Sequence, residues 1–140
     1  MVYFLLDANV IYDFLADRKP HSREAAFLFS AADRGKIKLY VSAISYNNLY
    51  YVLRKDVGHK KALDLVSLLD TLVTTIDVGT PVIRKALKSK FKDFEDAIQY
   101  YSALTENKIQ AIVTRNSKDF KSNELLILDP ARAIRFVSGK

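Results

Sequence analysis

Four aspartates stand where an apolar segment ends or a helix begins, and their side chains are oxygen donors. Asp7 follows the run Val2-Tyr3-Phe4-Leu5-Leu6 without a gap. Asp93 and Asp96 lie three residues apart at the start of a later periodic stretch, which puts them on one helix face. Asp119 ends the turn Thr114-Arg115-Asn116-Ser117-Lys118-Asp119, just after the run Ala111-Ile112-Val113. Carboxylates gathered in one place repel one another unless a cation lies among them. With no Cys and only 2 His in the chain, the ligand set is hard oxygen, which points to Mg2+ or Mn2+.

Each acid taken singly has a plainer explanation. Asp7 reads equally as the cap of the first helix, and Asp93-Phe94-Glu95-Asp96 has the form of a helix N-terminus with Asp93 as cap. Asp119 after Asn116-Ser117 reads as turn chemistry, and Thr114 as a last strand residue with a satisfied hydroxyl. What favours a site is the arrival of all of them at one edge, and that depends on the elements between them.

Those elements follow from apolar spacing and breakers. Val2–Leu6 reads as a strand buried on both faces. Val10, Ile11, Phe14 and Leu15 have helical spacing up to the break at Lys19-Pro20. A second helix, capped by Ser22, carries Ala25, Leu28 and Phe29 and ends at Gly35. Lys36 to Ser42 alternates as a strand. Ser45 onward is helical to Gly58, with Tyr46, Leu49, Tyr50 and Leu53 on one stripe, and His59–Leu72 continues as a helix on Leu63, Val66 and Leu69. Val73–Val78 is rich in β-branched residues and reads as a third strand. Pro81 opens a helix with Ile83, Ala86 and Leu87 as its apolar face. Asp93 opens another, on Phe94, Ala97, Ile98, Tyr101 and Leu104. Ala111–Thr114 and Leu125–Leu128 read as strands, and Pro130 starts a last helix. Strands separated by helices in this order predict an α/β fold, a three-layer α/β/α sandwich on a mainly parallel sheet of about five strands. Such sheets place ligands outside the carboxyl ends of their strands, where Asp7 and Asp119 fall.

The 140 residues predict one domain over 1–140, with 49% hydrophobic and 27% charged residues, 4 Gly and 3 Pro. That composition excludes disordered and low-complexity classes. The absence of Cys excludes a disulfide framework and a cysteine nucleophile, and the scarcity of Gly excludes a dinucleotide fingerprint. No basic leader or membrane-length apolar run is present, so the expected setting is cytoplasmic, away from membranes. Lys+Arg 22 against Asp+Glu 16 gives a net charge of +6, which suits a polyanionic partner. His21 and His59 have no ligand-spaced companion. The spacing of Tyr46, Tyr50, Tyr51, Tyr100 and Tyr101 favours core over base stacking.

The stretches Leu5-Leu6-Asp7-Ala8-Asn9-Val10-Ile11, Val41 to Arg54, Asp93-Phe94-Glu95-Asp96-Ala97 and Ile112 to Phe120, in this order, resemble the PIN-domain ribonucleases, in particular the toxins of VapBC-type toxin-antitoxin modules. The resemblance implies Mg2+- or Mn2+-dependent cleavage of RNA, with Asp7, Asp96 and Asp119 as metal-binding catalytic acids and Asp93 as an additional acid. It implies supporting roles for Thr114 and Asn116. Asn48 stands where many of these nucleases have Glu, and an amide can ligate a hard cation but brings no charge. The four acids are expected to converge with Asn48 on one cleft. Lys88, Lys90, Lys92, Arg115 and Lys118 are the candidate RNA contacts. A cognate antitoxin and a homodimer, the latter suggested by the helical pair between Ser45 and Leu72, are the expected partners. The alternative is a PIN-like domain whose weakened site no longer cuts and which binds RNA or protein. A phosphoryl-transfer receiver fits poorly, because its middle strand should end in an acid and here ends in Ser42-Ala43.

Overall fold

A computed structural model describes residues 1–120 and 124–139. Among these, five strands alternate with helices: β1 (Val2–Leu6), α1 (Ala8–Leu15), α2 (Ser22–Asp33), β2 (Ile37–Ser42), α3 (Ala43–Val57), α4 (His59–Leu72), β3 (Thr74–Ile76), α5 (Thr80–Lys88), α6 (Phe94–Leu104), β4 (Ala111–Val113), β5 (Leu126–Leu128) and α7 (Pro130–Ser138). All strand pairings are parallel, in the order β3-β2-β1-β4-β5. The chain winds from β1 through β2 to β3, then returns to the other side of β1 for β4 and β5. That reversal opens a crevice between the carboxyl ends of β1 and β4.

Strand periodicity sorts the core into two layers. Phe4 and Leu6, Leu39 and Val41, and Ala111 and Val113 face a cluster built with α1, α2, α3, α4 and α7. Leu5, Tyr40 and Ile112 point to the opposite side, against Tyr100 and Ala103 of α6. A smaller cluster joins Val82 and Ala86 of α5 to Ala97 and Ile98 of α6. The expected three-layer sandwich is therefore present, with α5 and α6 on the site's side of the sheet. Gly58, at φ +88°, supplies the left-handed residue that turns α3 into α4.

Local expectations shift in a few places. Helix α3 begins at Ala43 because Ser42 already takes the N-cap position, and Ser22 is the first helical residue with His21 before it. Leu87, Leu63 and Phe94, expected on apolar faces, are 67%, 46% and 48% exposed. Helix α5 instead buries Val82 and Ala86, four residues apart, which turns Leu87 outward.

Candidate active site

Asp7 begins the site because β1 ends beneath it. Its backbone N–H donates to Val113 O at 2.9 Å, continuing the pairing of β1 with β4. It occupies the N-cap position of α1, yet its side chain makes no capping bond. The buried carboxylate is held from three sides instead. Gln99 Nε2 donates to Oδ1 at 3.0 Å, Thr114 Oγ1 donates to Oδ2 at 2.6 Å, and Asn9 Nδ2 donates to Oδ2 at 3.3 Å. A carboxylate has about four acceptor sites, so this leaves Oδ1 with an uncommitted lone pair. The Asp7 side chain is thus oriented for a ligand rather than for its own helix.

The turn after β4 is fastened to the same acid. Thr114 Oγ1, whose O–H donates to Asp7, accepts the Asn116 N–H at 3.1 Å, and Asp119 N donates to Asn116 O at 2.9 Å. Arg115, a candidate RNA contact, has its Nε 2.6 Å from Asp13 Oδ2. On the third side, Asp93 is the N-cap of α6 and accepts the Asp96 N–H at 2.9 Å. The capping explanation of Asp93 therefore holds, and it coexists with a place at the site.

One cleft of about 780 Å3 is lined by Asp7, Asp93, Asp96 and Asp119, together with Glu95, Asn116 and the lysines Lys90, Lys92 and Lys118. Phe91 and Tyr101 form an aromatic part of its wall. Four of the expected acids are thus brought together. Asn48 is not on the lining; its side chain hydrogen-bonds Glu95, which is. Lys88, in the last turn of α5, is likewise off the lining. Thr114 is buried behind Asp7.

Crowding of the acids has an electrostatic cost. Burial first, then the charges of Asp7, Asp93, Glu95 and Asp119, push the Asp96 carboxyl up to about 7 from an ordinary 3.8. Glu95 is raised mainly by burial, with Asp7 and Asp93 adding to the shift and the Asn48 hydrogen bond opposing it. The donor set is oxygen-rich and anionic beyond what its own lysines offset, which fits a hard divalent cation. Among the described residues, no three His, Cys, Asp or Glu side chains are spaced to hold a metal ion as they stand. The carboxylates share a cleft without closing on one point.

Reading the sequence alone missed Gln99, Asn9, Asp13 and Glu95. The local signal for the first three is a polar residue among apolar ones on a helix, which does not name its partner: Gln99 lies three residues after Asp96, and Asn9 and Asp13 lie four apart.

Comparison with known proteins adds three observations. The sequence model of the PIN domain matches residues 3–118. No curated protein matches the chain by sequence. Among solved structures the chain is similar to DNA-bound VapBC from Salmonella typhimurium, with a TM-score of 0.68 at 18% identity, over 93% of this chain and 99% of that one. VapBC2 from Rickettsia felis bound to a DNA fragment from their promoter gives a TM-score of 0.67 at 15% identity, over 91% and 98%. Mycobacterium tuberculosis VapC20, a Sarcin-Ricin loop cleaving toxin, gives 0.62 at 15% identity, over 86% and 91%. At such identities the likeness is one of fold.

Proposed function

The chain belongs to the PIN-domain family, and on that premise we propose that it is a ribonuclease that hydrolyses RNA phosphodiester bonds with Mg2+ or Mn2+ held by Asp7, Asp96 and Asp119. The observation that carries this reading is the joint lining of one cleft, at the crevice between β1 and β4, by acids from three separate parts of the chain. Asp7, Asp96 and Asp119 would hold the divalent cation there, which would supply Lewis acidity for activating water and offsetting charge on the leaving oxygen.

The chain's own residues do the remainder. Gln99, Thr114 and Asn9 hold Asp7 in one orientation, so the first ligand needs little reorganisation. Asp96 keeps its proton up to about pH 7 when no cation is bound, so proton release and cation entry are coupled at this carboxyl. Asp93 adds negative charge at the rim while capping α6, and Asn116 stands beside Asp119 on the lining. Lys90, Lys92 and Lys118 line the same cleft and bind the RNA backbone, and Lys88, in the last turn of α5 and off the lining, is a further candidate contact. Phe91 and Tyr101 line the same cleft and are the aromatic candidates for contact with bases.

By extension from the toxins and toxin-antitoxin complexes it resembles in fold, the chain acts as the toxin of such a module and binds a cognate antitoxin; the homodimer is proposed on the helical pair α3 and α4 alone. Among the described residues no helix is long and apolar enough to cross a membrane; the proposed setting is the cytoplasm. The test is cleavage of mixed RNA in Mn2+ by wild type against Asp7→Asn. A second reading, a weakened module that binds RNA or protein without cutting, is favoured by the uncharged Asn48 and by carboxylates that do not close on one point. It requires wild type and Asp7→Asn to show equal activity while salt-sensitive RNA binding persists in both. A monomer at high concentration, with no growth defect on expression alone, would count against the toxin assignment.

A further inference from the structure

The turn that carries Asn116 and Asp119 is tied to α1 by a contact that the chemistry of the cleft does not use. Asn9 and Asp13 lie four residues apart on α1 and so share a face. Asn9 Oδ1 accepts the backbone N–H of Arg115 at 3.3 Å. Asp13 accepts the guanidinium of the same residue through Nε at 2.6 Å, with Nη2 3.4 Å from its other oxygen. Asp13 is 1% exposed, and a carboxyl group so buried needs hydrogen-bonding partners in direct contact, which Arg115 supplies. A planar fork laid on both oxygens fixes direction as well as distance, which an ammonium does not. Arg115 is thus held at its backbone and at its side chain by one helix, and Asp7 is the N-cap of that helix.

We propose that Arg115 is a positioning residue of the nuclease described above, a reading on which this inference rests: its pairing with Asp13 sets where the turn 114–119, and with it Asp119, stands relative to Asp7. Its guanidinium is committed inward and leaves phosphate binding to the lysines of the cleft.

The experiment uses the full chain as wild type, Asp13→Asn, Arg115→Gln, Arg115→Lys and the double variant Asp13→Asn with Arg115→Gln. Three quantities are measured: Mn2+ affinity by calorimetry, kcat and KM on mixed RNA, and backbone hydrogen exchange over 114–119. The salt dependence of RNA binding is read separately in an Asp7→Asn background. Asp13→Asn and Arg115→Gln are each expected to lower Mn2+ affinity and kcat about tenfold with KM little changed. The double variant should lose no more than the worse single one, Arg115→Lys should recover part of the loss, and exchange should quicken over 114–119. The salt slope of RNA binding should stay as in the parent.

An Arg115→Gln protein with kcat intact, KM raised and a salt slope shallower by about one is a phosphate contact, and overturns the proposal. Multiplicative losses in the double variant, or unchanged exchange over 114–119, overturn it as well. Should Asp13→Asn not fold, the two Arg115 variants carry the same tests. If wild type neither binds Mn2+ nor cuts RNA, the nuclease reading falls, while exchange over 114–119 still decides whether the pair holds the turn.

Discussion

Replacing Asp96 by Asn should stabilise the metal-free protein at alkaline pH while removing its response to divalent cations. Asp96 carries the electrostatic cost of the cleft, since burial and four neighbouring carboxylates raise it from 3.8 to about 7. Without screening, that displacement corresponds to about 4 kcal/mol. Asp96 is only partly buried and its neighbours' charges are screened at ordinary salt, so roughly 1–2 kcal/mol survives. The unfolded chain releases this proton near 3.8 and the folded chain near 7, so the folded state is penalised as pH rises between the two. The penalty is absent below about pH 4, grows through neutrality and is complete above about pH 7. Thermal melts in EDTA should therefore show Asp96→Asn and wild type alike near pH 4, and the variant higher by roughly 3–8 °C near pH 8. Raising the salt should shrink that gap. Mn2+ at pH 8 should lift the wild-type melt and leave the variant where it was. A variant that melts below wild type at pH 8 in EDTA, or a gap independent of pH, would refute the reasoning, because relief of charge crowding predicts the opposite sign and a titrating difference.

Three further outcomes follow from the same geometry. Asn48→Asp replaces the amide that hydrogen-bonds Glu95 with a like charge, so its melt in EDTA should fall at pH 8 more than near pH 4, and Mn2+ should restore part of the loss; a melt unchanged at both pH values would place Asn48 away from Glu95. Gln99→Leu removes the buried donor to Asp7 Oδ1, and Mn2+ affinity should drop by about 10–100-fold while the melt stays cooperative; an unaltered affinity would dismiss Gln99 as an orienting group. In an Asp7→Asn background, Lys92→Gln with Lys118→Gln should make the salt slope of RNA binding shallower by about two, and an unchanged slope would move the RNA path off this cleft.

The parts of the fold legible in the sequence are those governed by local rules. Uninterrupted apolar runs gave β1 and β4, alternation gave β2, and Gly58 and Pro81 marked real helix boundaries, because a positive φ and a missing N–H act within a turn or two. Asp7 and Asp119 were placed at strand ends because a parallel sheet offers one edge to ligands. What stayed hidden was long-range. Nothing near Gln99 says that its amide meets a carboxylate 92 residues earlier, and nothing near Asp13 says that Arg115, 102 residues on, turns inward to it. Arg115 looked like a free cation beside Lys118 because a buried partner cannot be seen from spacing alone. The outward turn of Leu87 and Leu63 has the same origin, since helical period fixes which residues share a stripe but only packing decides which stripe is buried.

The most direct measurement is cleavage of mixed RNA by purified wild-type protein and Asp7→Asn, each in EDTA and in Mn2+, with melts recorded alongside. Wild type should cut only when Mn2+ is present, and Asp7→Asn should cut under neither condition while still unfolding cooperatively. Equal cleavage by the two proteins, or cleavage by wild type that EDTA does not abolish, would contradict a metal-dependent nuclease built on Asp7.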